Sequence, residues 1–317
     1  MHDAPLMLCA GEALTDMIHQ GEGHWQARVG GSTWNVARAL AALGERTAFA
    51  GAVSADRFGD ELWGASEAVG LDLRLMQRAP RSPLLAMVEQ GEPPRYFFIG
   101  DDSADLYFDP TALPEGWSRK LRWAHFGGIS LAREPLAGRL VALAESLKEQ
   151  GVAISYDPNF RKVMDERYTP TLHRMAAVAD LIKVSDDDLR GLFPDLCPGL
   201  ELDAALQRLR ALNPDALCLL TRGGHGASLY RGEERVDAMA PAVAVVDTVG
   251  AGDASAAGLL HSLSRHPDRS LQAHLHAALA AGSAACLQAG ATPPTPLAMG
   301  RLFDQLQQEV AKEKVSS

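Results

Sequence analysis

Short apolar runs alternate with longer amphipathic ones along nearly the whole chain, and few folds accept that rhythm. Runs of β character are expected at Leu6–Ala10, Thr47–Val53, Trp123–Phe126, Val152–Tyr156, Leu181–Val184, Leu217–Thr221 and Ala242–Val246. Each is largely apolar rather than apolar at every second residue, as strands covered on both faces read. Helical spacing fills the gaps at Trp34–Leu43, Phe58–Val69, Glu134–Gln150, Leu202–Leu212, Gly252–Leu263, Leu271–Leu287 and Leu297–Val310. Leu271, Leu275, Ala278, Leu279, Gly282 and Cys286 form one stripe at helical spacing. Strand then helix, repeated, predicts an α/β fold of three layers, a mostly parallel central sheet flanked by helices.

Two stretches break the rhythm. Thr15–Val29 is polar and too short for a strand–helix unit, and Leu84–Phe108 reads as a hairpin with a long tip at Gln90–Pro94. Both fit a small β lid outside the main sheet, formed by about residues 12–29 and 84–108. The length of 317 residues would suit two average domains, but the chain has no linker, low-complexity tract or repeat. One domain over 1–317 with an appended lid is expected.

Charge and cysteine usage exclude several classes. The chain carries 30 Lys and Arg against 40 Asp and Glu, a net charge of −10, with no basic cluster to displace phosphate counterions. Nucleic acid is therefore not an expected partner. Cys9, Cys197, Cys218 and Cys286 are scattered without a Cys-x-x-Cys, which suits reduced thiols in a cytoplasm rather than a disulfide framework or zinc knuckle. Met1–Gly11 lacks a basic leader region, and the apolar Leu271–Ala291 is interrupted by His274, His276 and Gln288, so neither a signal peptide nor a membrane span is expected. His274 and His276, two residues apart, fall on different helix faces, and no histidine is assigned a metal.

The most informative segment is Ala242–Leu260, AVAVVDTVGAGDASAAGLL. An apolar run ends at Asp247, the turn Gly250-Ala251-Gly252 follows, and a helix begins near Asp253. Glycines between strand and helix let backbone N–H groups surround an anion, which the helix dipole also favours. Asp253 stands at the mouth of that anion site, either as a group acting on a neighbouring atom or as a first-turn residue complementing the dipole. A dinucleotide fingerprint fits less well, since Ser255 stands where its third glycine belongs. The second segment, Arg28–Leu43, opens a helix on Gly30-Gly31 with Asn35 one turn in: close backbone approach beside a group that both donates and accepts.

GGSTWNVARALAALG and DTVGAGDASAAG, in that order and at that separation, resemble the two signature regions of the ribokinase-like (PfkB) carbohydrate kinases. Gly11-Glu12 with Asp16, Asp56-x-x-Gly59-Asp60, Asp157-Pro158-Asn159-Phe160-Arg161, Thr221-Arg222-Gly223-Gly224 and Gly290-Ala291 resemble further family segments, so the likeness covers nearly the whole chain. The resemblance implies a ribokinase-like fold and transfer of the γ-phosphoryl group of ATP to a sugar hydroxymethyl group, with Mg²⁺ and a K⁺ ion as cofactors. It implies that Asp253 takes the hydroxyl proton while Gly250, Ala251 and Gly252 cradle the moving phosphoryl group. It assigns the sugar to Asp16, Gly30, Gly31, Asn35, Asn159 and Arg161. The nucleotide falls to Lys183, Ser185, Thr221, Gly223, Gly226, Gly252 and Ser283, Mg²⁺ indirectly to Asp188, and K⁺ to Asp247 and Thr248.

The chain departs from the family pattern at Lys183-Val184-Ser185-Asp186-Asp187-Asp188, where Ser185 and Asp188 stand in place of the usual Asn and Glu. That run and the Tyr156–Arg161 stretch resemble the fructokinase-like branch, as does the Ser103-Ala104-Asp105 segment of the lid. The implied activity is a fructokinase, with 2-keto-3-deoxygluconate, ribose or a nucleoside as alternative acceptors. A noncatalytic sugar or nucleotide sensor and a nicotinamide-dependent dehydrogenase are the readings of a different class. Phe97 and Phe98 fall on the lid, which in this family often clasps a second copy, so a homodimer is expected.

Overall fold

In the computed structural model, which describes residues 4–89, 95–197 and 201–316, thirteen strands form two sheets. The strands are β1 (Met7–Ala10), β2 (Leu14–His19), β3 (Trp25–Gly30), β4 (Thr47–Ser54), β5 (Met76–Ala79), β6 (Leu85–Glu89) and β7 (Arg95–Ile99), then β8 (Trp123–Gly127), β9 (Ala153–Asp157), β10 (Leu181–Ser185), β11 (Leu217–Thr221), β12 (Ala227–Arg231) and β13 (Glu234–Ala238). The helices are α1 (Ser32–Ala42), α2 (Arg57–Ala68), α3 (Leu136–Glu149), α4 (Thr169–Val178), α5 (Asp186–Leu192), α6 (Asp203–Arg210), α7 (Ala251–Arg265), α8 (Leu271–Ala285) and α9 (Pro296–Ser316). The larger sheet runs β13-β12-β11-β10-β9-β8-β1-β4-β5, parallel from β11 to β5, with the β12–β13 hairpin antiparallel at one edge.

Both faces of this sheet are packed, which is why its strands are apolar along their length. On β1, Leu8 and Ala10 join a core shared with α3, α4 and α6, while Met7 and Cys9 join a core shared with α1, α7 and α8. Close helix contact on the second side depends on small residues: a Cβ on Gly258 of α7 would lie 2.4 Å from Ala281 Cβ of α8. Among the described residues no helix is long and apolar enough to cross a membrane, and the cysteines are free thiols.

The second sheet, β3-β2-β6-β7, pairs the segment near Thr15–Val29 with the hairpin near Leu84–Phe108, and the tip at Gln90–Pro94 lies outside the described residues. One expectation needs correction. Ala242–Val246 forms no strand: Val245 and Val246 are exposed, and the segment runs as irregular chain toward Gly250. Strands β5, β12 and β13 and helices α4 and α5 were not anticipated. Asp56 is a helix cap, accepting from the Phe58 and Gly59 N–H groups at the start of α2.

Candidate active site

Two cavities open along the C-terminal ends of the parallel strands, where crossover connections leave room for ligands. The smaller, about 290 Å³, lies under the four-stranded sheet and is lined by Glu12, Asp16, Asn35, Tyr96, Phe98, Ile129 and Asp253. The larger, about 700 Å³, lies between α5, the β11–β12 turn and α8, lined by Ser185, Thr221, Gly223, Gly226, Val243, Val245, Leu279 and Ser283. Asn159, Arg161, Lys183, Thr248 and Gly252 line both.

Asp253 sits in the first turn of α7, whose N-cap Gly250 takes φ 79°, a left-handed conformation glycine adopts without strain. A Cβ on Gly250 would also lie 2.9 Å from Ala291 Cβ, so the late turn closes against this residue. Two side chains of α1 hold the Asp253 carboxylate: Ser32 Oγ donates to Oδ1 and Asn35 Nδ2 to Oδ2, each at 2.9 Å. Burial raises the Asp253 pKa, while Asn35, Lys183, Ser32 and Arg161 pull it back toward the ionised form.

Lys183, on β10, is buried and paired with Asp157 on β9 at 2.9 Å, with Asp188 4.0 Å away. Burial opposes its charge, but Asp157 and then Asp188 overcome that and hold it protonated. Burial pushes Asp157 up to about 6, so at neutral pH the pair stays ionised. A Cβ on Gly252 would stand 3.2 Å from Lys183 Nζ, which puts the ammonium beside the glycine turn.

The structure brings most of the expected residues to one place. Asp16, Gly31, Asn35, Asn159 and Arg161 line the smaller cavity, with Gly250, Gly252 and Asp253. Gly30 acts by its lack of a side chain, since a Cβ there would meet Asp16 Oδ2 at 2.2 Å. Lys183, Ser185, Asp188, Thr221, Gly223, Gly226, Ala251, Gly252 and Ser283 line the larger cavity. Asp188 gives its oxygens to the Phe160 N–H (2.8 Å) and, in a capping box with Ser185, to the Ser185 N–H (2.7 Å). Asp247 lies away from both cavities, accepting from the Val249 and Gly290 N–H groups and so tying down the late turn. His274 and His276 are buried, bonded to Ser262 and Gln272.

Sequence reading singled out Phe97 and Phe98, but Phe97 is exposed on the outer face while its neighbours Tyr96 and Phe98 line the cavity. The period-two alternation of β7 carried that distinction. Ser32 and Ile129 were missed, and no local pattern marks them. Glu12 and Asp157 were noted within motifs but given no role.

A glycine turn at a helix start, a buried carboxylate above it and a paired lysine beside it, all on a doubly wound sheet, define a kinase that phosphorylates small alcohols. The model of the pfkB family carbohydrate kinases matches residues 5–298, and the chain belongs to that family. A fructokinase from Rhizobium leguminosarum bv. trifolii is 34% identical over 268 residues, covering 81% of this chain and 79% of that protein. The crystal structure of a fructokinase from Xylella fastidiosa with bound ATP superposes with a TM-score of 0.85 at 25% identity, covering 94% and 98% of the two chains. An aminoimidazole riboside kinase from Salmonella enterica, complexed with aminoimidazole riboside and an ATP analogue, gives 0.80 at 28% identity, covering 94% and 99%.

Proposed function

We propose that this chain is an ATP-dependent fructokinase, transferring the γ-phosphoryl group to a primary hydroxyl of fructose. The observation that carries the reading is the meeting of the two cavities at Lys183 and Gly252, with Asp253 facing the smaller one. The acceptor lies under the four-stranded sheet, which serves as its lid, and the nucleotide fills the larger cavity, its base against Val243, Val245 and Leu279.

In the transfer, the acceptor oxygen forms a bond to the γ-phosphorus as the bond to the ADP oxygen breaks. Asp253 receives the hydroxyl proton. The reaction asks mainly for alignment and charge stabilisation, so the carboxylate form of Asp253, favoured by Asn35 and Lys183, is base enough. The N–H groups of Gly250 and Gly252, with the Lys183 ammonium, take up charge on the moving phosphoryl group, while the Ala251 N–H closes the turn on the Thr248 carbonyl at 3.2 Å. Asp16 and Asn35 bridge acceptor hydroxyls, and Asn159 holds Arg161 through a 2.7 Å bond at the junction.

The donor set fits Mg²⁺ through its waters: Asp186 and Asp187 line the nucleotide cavity and offer hard oxygens, while Asp188 gives both of its oxygens to the Phe160 and Ser185 N–H groups and shapes the site from behind. Bound there, the ion would neutralise phosphate charge. For K⁺, Asp247 spends both oxygens on backbone N–H groups, so further ligands would have to be backbone carbonyls, and no step is routed through it. The alternating outward side chains Phe97 and Ile99, each about half exposed, are the face on which a second copy fits the homodimer reading. A cytoplasmic location suits an enzyme that draws on ATP and carries free thiols.

Lys183 is already paired with Asp157, so Asp16 and Asp253 outweigh Arg161 in the acceptor cavity, which disfavours an acidic acceptor such as 2-keto-3-deoxygluconate. The riboside kinase neighbour makes a riboside the second reading. An acceptor panel in a coupled ADP-release assay tests all of this. Fructose should give the highest kcat/KM; a preference for ribose or a nucleoside replaces the acceptor, and tight ATP binding with no turnover on any acceptor makes the chain a sensor.

A further inference from the structure

Glu12, directly after β1, is buried with its carboxylate bonded by backbone N–H groups. Oε1 accepts from the Ser32 N–H at 3.2 Å and Oε2 from the Ser130 N–H at 3.1 Å, while its carbonyl accepts from Thr33 Oγ1 at 3.1 Å. We propose that Glu12 is a positioning residue for phosphoryl transfer: its carboxylate fixes the first turn of α1 and, through Ser32, the orientation of Asp253. The inference rests on the reading of Asp253 as the base.

The start of α1 explains why a distant carboxylate is used. Its N-cap, Gly31, offers no side chain, and none fits: φ is 115°, and a Cβ would lie 2.6 Å from the Glu12 carbonyl oxygen. The usual Ser, Thr, Asp or Asn cap is therefore barred, and Glu12 supplies the capping oxygen from 20 residues upstream. Gly128 keeps the opposite side clear, since a Cβ there would stand 2.2 Å from Glu12 Oε1. Ser32 then joins the two carboxylates, its N–H on Glu12 and its hydroxyl on Asp253. In its ionised form the carboxylate accepts from Ser32 and Ser130 together, so the variants are compared at pH 8. A glutamine has one acceptor oxygen and would set its amide hydrogens against the other N–H.

Glu12 also lines the acceptor cavity, so direct contact with the sugar is the rival explanation. Glu12→Gln, Ser32→Ala and the double variant separate the two, with circular dichroism reporting the fold. Each single variant should lose about tenfold or more in kcat with both KM values within about threefold, and the double should be no slower than the slower single. A rise of about tenfold in acceptor KM at unchanged kcat, additive losses of kcat, or a lowered Tm with kcat intact would each overturn the proposal. If Glu12→Gln does not fold, Gly128→Ala, which presses on Oε1, must show the same loss of kcat, and unchanged kcat there overturns it. If the wild type phosphorylates no acceptor, the functional reading fails separately. A crystal structure of Glu12→Gln then decides: a Ser32–Asp253 bond kept at its present length overturns the proposal, and a broken one supports it.

Discussion

Asn35 donates to Asp253 Oδ2 at 2.9 Å across 218 residues of chain, joining the Gly-Gly helix near the N-terminus to the glycine turn near the C-terminus. The bond favours the ionised carboxylate against the burial that disfavours it. Removing it in Asn35→Ala should raise the Asp253 pKa, moving the acid limb of the kcat profile to higher pH. A limb that stays in place would mean Asn35 does not tune the base. Asp253→Asn should lower kcat by about 10²–10⁴-fold, the range of a general base, with ATP affinity by calorimetry nearly unchanged.

That bond also marks how far the sequence could be read. The sheet was legible because strands covered on both faces are apolar in any context, as β1 and β11 are. The same cue misled at Ala242–Val246, where Val243 and Val245 line the nucleotide cavity rather than pair in the sheet. β13, with the polar sequence ERVDA, and α5, opening on three aspartates, carry too little apolar pattern to stand out. At the site, glycines and acids crowded into short motifs announced themselves. Residues whose meaning lies in a partner far along the chain did not: Ser32 is an unremarked serine until Asp253 is folded onto it.

Asp16 should govern acceptor capture at mild acidity. Burial, opposed by Arg161 and reinforced by Asp253, pushes its pKa up to about 6. Below that pH the carboxyl is protonated and loses part of its capacity to accept sugar hydroxyls. Acceptor kcat/KM should therefore fall as pH drops through about 6, and Asp16→Asn should give a low profile without that limb. Steady-state rates from pH 5 to 8 check it, and an unchanged limb in the variant would remove Asp16 from acceptor binding.

Glu12 links stability to pH in the opposite sense from an ordinary ion-paired acid. Burial raises its pKa from 4.5 to about 7, partly offset by Ser130 and increased by Asp105. Between those values the folded chain holds a proton that the unfolded chain has released, so this contribution is present at low pH and lost as pH rises through about 7. Wild type should gain on Glu12→Gln between pH 8 and pH 5 by up to about 3 kcal/mol. Thermal melts of both proteins at the two pH values measure the gap, and a gap that does not change with pH would mean the carboxyl titrates as it does in the unfolded chain.

Gly252→Ala separates stability from chemistry at the junction of the cavities. Gly252 is the second residue of α7 and is not among the glycines with positive φ, so its backbone accepts alanine, which gains up to about 1 kcal/mol of helix propensity. The new methyl would stand 3.2 Å from Lys183 Nζ, and that ammonium has little room to yield because Asp157 holds it at 2.9 Å. Alanine should leave Tm unchanged or higher while kcat falls about tenfold or more, as the cation is pushed off the path of the phosphoryl group. A variant as active as the wild type would show that Lys183 stabilises the strand ends without assisting transfer.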